Sequence, residues 1–423
     1  MVNSVWVTWP ALAKLGTLGV VAAALTLGLE RGDLLENNMF STEDFAKANA
    51  DIVCDERSLT ARTVDGTCNI LENPSEGSVY RRFGRNVELD AGHGETEADT
   101  LLTPNPREVS NALMKREQFK PATSINFIAA SWIQFMVHDW FSHGPNVEGD
   151  RIEFDLPAGD PLGSGVMSVQ RTAPDSNRDA SDAHLPVTFR NVNTHWWDGS
   201  QLYGSDQATN DSIRAFADGK LKVESDGTLP REYWSGVPVT GFNENWWVGL
   251  SMMHQLFTLE HNAVAERLQQ QYPNATDQWL YDKARLVNAA LMAKIHTVEW
   301  TPALLANPVL ELSMESNWWG ISRNENGRDT IQNALDDLKG PNSWIASTIA
   351  LFDPEKAAQL STPGAIDHAI GGLVGQSKPN NYDVPYVLTE EFVAVYRMHP
   401  LLRDNIEVYD IGSNGVSSNI ALE

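Results

Sequence analysis

The sequence predicts a mainly α-helical protein, one large multi-helix domain with long irregular loops. Several long stretches are apolar on most faces and bounded by turn residues, which favours helices buried in a large core. Strand signals are few and short, and Asp, Gly and Pro are concentrated between the apolar stretches. At 423 residues the chain is long enough to bury such a core.

The composition excludes several classes of protein. Lys and Arg total 31 against 56 Asp and Glu, a net charge of -25, so the surface repels phosphate backbones and we expect no nucleic-acid partner. The two cysteines, Cys54 and Cys68, lack metal-type spacing and offer at most one optional disulfide. The sequence has no HExxH, GxGxxG, GxxxxGK[ST] or GxSxG stretch, which disfavours zinc-protease, nucleotide-binding and α/β-hydrolase readings.

We expect the first 40 residues to form an N-terminal segment that is separate from the remaining domain, residues 41–423. Residues 1–36 read as a helix, and its apolar part, 15–29, is too short to span a membrane comfortably. Two readings stay open at this point: a buried or membrane-surface helix, and a signal peptide without a clear cleavage site.

The rest of the chain alternates long helices with loops. Residues 41–110 read as irregular and acidic, 145–195 and 204–240 as loops, and 321–370 as surface helices without an interpretable motif. Four helices are predicted, over 124–144, 245–273, 277–306 and 388–400. The last begins with Thr389 and two acidic residues, and Pro400 disfavours helical geometry at His399.

The stretch "QFMVHDW" places polar groups inside an otherwise apolar helix. Gln134 and His138 are four residues apart and project from one face, whereas Asp139 points about 100° away. Buried amide and imidazole groups need partners, and a polar ligand is one source of them. A core histidine with an ordinary hydrogen bond is the alternative.

The stretch "NTHWWDGSQLYGSD" alternates oxygen-bearing groups. In an extended loop Thr194, the Trp196 carbonyl, Asp198 and Ser200 fall on one side, and Asp139 could add a second carboxylate. Calcium binds six to eight oxygen ligands of this mixed kind. The alternative is a turn in which Asp198 and Ser200 cap the local backbone.

Two further pairs lie in helical stretches. "VYRMHPLL" sets Tyr396 and His399 one helical turn apart, and imidazole is a common ligand of haem iron and other metals. "KIHTVEWT" carries His296 and Thr301. Packing explains each pair, taken singly, as well as chemistry does.

The order of these motifs is more specific than any one of them. Q-x-x-x-H-D, T-x-W-x-D-x-S, "EHNAVAERL" and Y-x-x-H follow one another as in the peroxidase-cyclooxygenase superfamily of animal-type haem peroxidases, which this chain resembles. Within it the chain is most similar to fatty-acid α-dioxygenases, through "AASWIQFMVHDW", "WWDGSQLYG", "AKIHTVEWT", "VPYVLTEEF" and "VYRMHPLL". The resemblance covers most of residues 5–410, so the N-terminal helix is expected to belong to the mature fold and to be able to lie against a membrane.

The resemblance implies a haem peroxidase-like domain with haem b and Ca²⁺ as cofactors. His399 would be the proximal iron ligand, His138 the distal histidine that moves protons, and Gln134 its neighbour. Tyr396 would carry a radical. The implied calcium ligands are Asp139, Thr194, the Trp196 carbonyl, Asp198 and Ser200. His296 and Thr301 would hold the carboxylate of a fatty acid.

Departures from the family pattern refine this expectation. Mammalian peroxidases esterify haem through an Asp before the distal histidine, where this chain has Val137, and through a Glu-Met pair that aligns with Trp246 and Trp247. Asn243 stands where the catalytic Arg would be. We therefore expect non-covalent haem and poor general peroxidase activity. The family continues past Y-x-x-H with a supporting Asn and Arg, so we expect a chain ending at Glu423 to be truncated at the C-terminus.

By resemblance, the expected function is haem-dependent oxygenation of long-chain fatty acids at the α-carbon, with O₂ as co-substrate and peroxide as activator. Two alternatives remain: a peroxidase that uses hydrogen peroxide and small reductants, and a haem-free binding or adhesion module. We expect a cytoplasmic or peripheral membrane location rather than secretion.

Overall fold

The structure, a computed structural model, describes residues 37–96, 98–122, 125–319, 347, 349–351, 354–360, 386–397, 399, 402–409 and 416–421. The predicted N-terminal helix and most of 321–370 lie outside these residues. The chain divides into two compact units, a larger one formed by residues 40–290 and 386–423 and a smaller one formed by residues 1–39 and 291–385.

The described residues are mainly helical, which confirms the predicted fold class. In chain order the α-helices are α1 (Phe45–Ala48), α2 (Glu56–Thr60), α3 (Ala98–Leu102), α4 (Pro106–Val109), α5 (Ile128–Trp140), α6 (Ser200–Tyr203), α7 (Gln207–Ile213), α8 (Val248–Gln271), α9 (Asp277–Lys294), α10 (Thr301–Leu304), α11 (Pro308–Trp319), α12 (Pro354–Leu360) and α13 (Glu390–Val395). Shorter 3₁₀ turns cover Leu89–Thr96 and Ala180–His184, and π-helical turns cover Ser110–Met114 and Ile295–Trp300.

The core of the larger unit lies where α5 packs against α8. Trp132 and Phe135 on α5 are buried one turn apart, as an apolar helical face requires. Both rings meet Phe257 of α8, with centroids 5.7 Å and 5.2 Å away. Aromatic pairs at this separation add to the stability that burial alone provides. The core therefore holds α5, the helix that carries His138, in a fixed position.

Two predicted helices differ from the observed elements by more than a few end residues. The stretch 277–306 is three segments, because a π-helical turn, Ile295–Trp300, separates α9 from α10. The stretch 388–400 is helical only to Val395, since Tyr396 adopts φ -79° and ψ 68° and leaves the helix. The end at His399 predicted from Pro400 was therefore wrong. The predicted start was right, because the Thr389 side chain accepts a hydrogen bond from the Phe392 N–H.

The region 145–195 is not only loop. It contains the antiparallel strands β1 (Asn146–Asp155) and β2 (Val166–Thr172), and a second antiparallel pair is β3 (Asn405–Tyr409) with β4 (Val416–Ala421). The prediction missed β1 and β2 because these strands have no buried residue, which leaves little apolar alternation to recognise.

Cys54 and Cys68 form a disulfide, so the optional bond is present. It closes the segment 54–68, which contains α2 and the loop after it. Within the described part of the chain, every helix is either too short or too polar to cross a lipid bilayer.

Candidate active site and cation cradle

His138 lies near the C-terminal end of α5 and is buried. The Phe242 ring packs edge-on against it, with ring centroids 5.1 Å apart. Its Nδ1 atom has no hydrogen-bond partner among the residues that the structure describes. Burial lowers the pKa of His138 to about 4, so the ring is neutral at pH 7. A neutral, unpaired imidazole is able to accept a proton.

Gln134 lies one turn before His138 on α5, but its amide is directed to the segment that precedes α8. Its Nε2 donates to the Asn245 carbonyl at 3.0 Å, and its Oε1 accepts from the Trp247 indole N–H. The structure therefore shows Gln134 as an anchor between α5 and this segment.

Four of the predicted calcium ligands come together as a cluster with no solvent exposure. Asp139, Thr194, Asp198 and Ser200 are all fully buried, and we call this cluster the cation cradle. The Ser200 N–H donates to Asp139 Oδ1 at 2.6 Å, and the Thr194 and Ser200 hydroxyl oxygens are 3.5 Å apart. Gly199 allows this geometry, because its φ of 73° places Ser200 at the start of α6.

The cradle has carboxyl oxygen atoms that no other group uses. The Oδ2 atoms of Asp139 and Asp198 are buried, and neither has a hydrogen-bond partner within the described residues. Burial, and then the neighbouring Asp198, raise the pKa of Asp139 to about 8, although the Ser200 N–H opposes this shift. Two unpaired carboxylate oxygens beside two hydroxyls form an oxygen-only set that suits a hard cation such as Ca²⁺.

Trp196 was predicted to contribute its backbone carbonyl to this cluster. The structure shows where its side chain is held: the indole N–H donates to the Glu76 carbonyl at 2.8 Å, and the ring stacks on Tyr386 with centroids 4.6 Å apart. Across the described ranges, no group of three or more His, Cys, Asp or Glu residues is placed to hold a metal. A cation in the cradle would therefore depend on hydroxyl and carbonyl oxygens as well as the two carboxylates.

Tyr396 and His399 do not share a helical face, because α13 ends at Val395. Tyr396 is half-buried and stacks on Phe392, with ring centroids 4.8 Å apart. It also packs against Trp140, with centroids 5.9 Å apart. His399 is exposed. The structure thus brings Tyr396, but not His399, against the helix that carries His138.

His296 and Thr301 lie in the smaller unit, at the π-helical turn. The Thr301 hydroxyl donates to the His296 carbonyl at 2.8 Å, and the Trp300 ring lies 6.0 Å from the His296 ring. Burial lowers the pKa of His296 to about 4. Isolated π-helical turns are frequent at functional sites.

Sequence reasoning missed three groups. Arg62 forms an ion pair with Asp198, and Arg285 donates to the Asp198 carbonyl at 3.2 Å from both Nε and Nη2. His254 on α8 is fully buried beside Phe135, and both of its ring nitrogens lack hydrogen-bond partners in the part described. No sequence motif marks the two arginines, since each meets Asp198 across more than 80 residues of chain.

Three features of the larger unit agree with a known family. They are the core helix with its buried, neutral histidine, the oxygen cradle beside it and the tyrosine that packs on this helix. The model of the animal haem peroxidase family matches residues 61–423, and the chain belongs to this family. The resemblance inferred from the motif order is thereby confirmed.

The similarity is more specific than the family. Alpha-dioxygenase 2 of Arabidopsis thaliana is 37% identical over 368 residues, which are 86% of this chain and 51% of that protein. Alpha-dioxygenase PIOX of Oryza sativa subsp. japonica is 34% identical, over 84% of this chain and 51% of its own length. The chain therefore spans about half the length of the curated relatives it matches.

Solved structures of fatty acid alpha-dioxygenases are also similar to this chain. The crystal structure of fatty acid alpha-dioxygenase from Arabidopsis thaliana matches with a TM-score of 0.71 and 31% identity, covering 95% of this chain and 57% of that one. An Oryza sativa fatty acid alpha-dioxygenase variant with palmitic acid matches with a TM-score of 0.69 and 28% identity, covering 98% of this chain and 60% of that one.

Proposed function

We propose that this chain is part of a fatty-acid α-dioxygenase that converts a long-chain fatty acid and O₂ into a 2-hydroperoxy acid. The observation that carries the proposal is the packing of Tyr396 on Trp140, two residues after His138. This contact gives the phenol a place beside the helix that carries the neutral imidazole. The similar Oryza sativa structure contains palmitic acid, which supports a fatty acid as substrate.

The residues present suit haem. His138 offers a neutral imidazole with an unpaired Nδ1, and the exposed His399 offers a second imidazole for iron. The three positions that attach haem covalently in mammalian peroxidases carry Val137, Trp246 and Trp247, none of which has a carboxylate or thioether. We therefore propose non-covalent haem b with His399 as the iron ligand. When bound, haem supplies the one-electron oxidising power that a peroxide activates.

The protein's own groups then act in sequence. His138 accepts a proton from the activating peroxide and returns it, which a ring that is neutral at pH 7 is suited to do. Tyr396 loses one electron and one proton and becomes a phenoxyl radical. This radical removes a hydrogen atom from the α-carbon, O₂ adds to the carbon radical, and the peroxyl group recovers a hydrogen atom from Tyr396.

His296 and Thr301 are proposed to hold the fatty-acid carboxylate. Fixing the substrate by a remote group lowers the entropy cost of the reaction. The neutral His296 ring would bind the carboxylate through an N–H group without a positive charge.

We also propose that Ca²⁺ occupies the cation cradle, with Asp139, Thr194, the Trp196 carbonyl, Asp198 and Ser200 as ligands. The support is the pair of buried Oδ2 atoms on Asp139 and Asp198. A cation there would bind two carboxyl groups, one of them on α5 itself, and stabilise the helix that carries His138.

Oxygen uptake with palmitate by the haem-loaded protein tests the function. The wild type should consume O₂, and Tyr396→Phe should abolish uptake while the haem Soret band is unchanged. Tyr233→Phe is the matched control, because Tyr233 is 87% exposed, and it should retain full uptake.

Two results would contradict the proposal. Uptake retained by Tyr396→Phe would remove the radical role from this residue. Rapid guaiacol oxidation with no O₂ consumption would favour the peroxidase alternative. The Asn243 side chain argues against that alternative, because its amide donates to the Pro238 carbonyl and supplies no cation.

A further inference from the structure

The segment 54–68 forms one wall of the cation cradle. The Cys54–Cys68 disulfide closes this segment, and Cys68 is buried whereas Cys54 is half-buried. The glycine within it, Gly66, has a φ of 76°, and a Cβ atom there would lie 2.8 Å from Thr194 Cγ2 and 3.3 Å from Asp198 Oδ2. The backbone of the segment is therefore in direct contact with two cradle residues.

Arg62, in the middle of the segment, fixes one oxygen of the cradle. Its Nε donates to Asp198 Oδ1, and the Asp198 side chain is fully buried while that of Arg62 is 29% exposed. This contact uses Oδ1 and leaves Oδ2 as the atom without a partner among the residues that the structure describes. Arg62 thus orients the carboxylate and leaves its free oxygen for a ligand.

Arg285 of α9 ties the segment to the cradle from the other side. This buried guanidinium donates to the Arg62 and Thr63 carbonyls, each at 3.0 Å, and to the Asp198 carbonyl at 3.2 Å. The position of Arg62 therefore depends both on Arg285 and on the closed disulfide. Arg57, in the same segment, is bound elsewhere, to Asp282 at 3.0 Å.

We propose that Arg62 is a positioning residue for Ca²⁺ in the cradle, and that cation binding and the Cys54–Cys68 bond are therefore coupled. This inference rests on the proposed calcium site and is independent of the oxygenation chemistry. Groups that orient a metal ligand are typically worth about 10- to 100-fold in metal affinity. Opening the disulfide frees the segment that carries Arg62. Both opening the disulfide and removing Arg62 should therefore weaken Ca²⁺ binding.

Coupling is reciprocal, so Ca²⁺ should also stabilise the disulfide. Reduction by glutathione breaks the Cys54–Cys68 S–S bond and forms two thiols. Two glutathione molecules supply the two electrons and two protons, and they join as one glutathione disulfide. If the oxidised protein binds Ca²⁺ about tenfold more tightly, saturating Ca²⁺ should lower the equilibrium constant for reduction by the same factor.

The first arm of the test measures Ca²⁺ affinity by calorimetry on the full-length protein after chelation. Arg62→Gln should bind Ca²⁺ at least tenfold more weakly than the wild type, and so should the Cys54→Ser/Cys68→Ser double variant. Arg57→Gln is the matched control, since it removes an arginine from the same segment that does not touch the cradle, and it should bind like the wild type.

The second arm needs no substitution, so it remains decisive if a variant fails to fold. The wild-type disulfide is equilibrated in glutathione buffers with Ca²⁺ or with a chelator, and the reduced fraction is counted by thiol labelling. Equal fractions would overturn the coupling. A gain of affinity in Arg62→Gln would show instead that Arg62 competes with the cation. A wild type that binds no Ca²⁺ would overturn the calcium site, and this result leaves the oxygen-uptake test of the function unaffected.

Discussion

Replacing His296 with leucine removes a buried imidazole whose charge state controls both stability and the proposed carboxylate contact. The pKa of this ring is about 4 in the folded chain, against 6.5 for the free side chain, because burial disfavours the charged form. Below pH 6.5 the unfolded chain binds a proton that the folded chain does not. The stability contributed by His296 is therefore complete above pH 6.5 and is lost as the pH falls towards 4.

Proton linkage gives the size of the effect. With these two pKa values, His296 costs the folded state about 2 kcal/mol of stability on going from pH 7 to pH 5. Urea unfolding of the wild type and of His296→Leu should show this as a pH-dependent difference: the wild type loses about 2 kcal/mol more than the variant between the two pH values. His184→Leu, at an exposed position, controls for the chemical change.

A difference that does not change with pH would refute the reasoning, because it would mean that the His296 ring has the same pKa in the folded and the unfolded chain. NMR gives a direct check, since the histidine C2–H resonance that is missing in His296→Leu should titrate in the wild type with a pKa of about 4. Because the His296 ring is neutral at pH 7, palmitate should bind there without forming an ion pair with this residue.

Three further outcomes are expected. Tyr203→Phe should lower the free energy of unfolding by about 1–3 kcal/mol in urea titrations. The reason is that the fully buried hydroxyl donates to His261 Nδ1 and accepts from Asn288, both at 2.9 Å. An unchanged unfolding midpoint would contradict this. Asp139→Asn should abolish the increase in Tm that Ca²⁺ gives the wild type, and a retained increase would place the cation elsewhere. Acidified acetone should extract all haem, given Val137, and haem that stays with the protein would contradict non-covalent binding.

The sequence was sufficient to predict the elements that depend on local patterns. The spacing of Trp132, Phe135 and Met136 marks a buried helical face, and Thr389 is a helix cap of the expected type. The alternation in 194–200 located three of the four cradle residues, because these three are close in sequence. These features are encoded within a few residues, so no tertiary information was needed to find them.

Features that depend on long-range contacts could not be predicted in this way. Arg62 and Arg285 reach Asp198 from 136 and 87 residues away, and no pattern near either arginine indicates its partner. The end of α13 at Val395 depends on Tyr396, which leaves the helix to pack on Trp140. The hairpin of β1 and β2 was missed because exposed strands have no apolar period.

The π-helical turn Ile295–Trp300 determines which side chains of the smaller unit face the same way. In an α-helix, residues five positions apart are separated by about 140° around the axis. Here the Thr301 N–H and hydroxyl both reach the His296 carbonyl, so the wider turn brings the fifth residue back over the first. An ordinary α-helix of the same length would keep both amino acids but direct them to different faces. Comparisons of relatives should therefore count the residues of this turn before they compare the identities of its histidine and threonine.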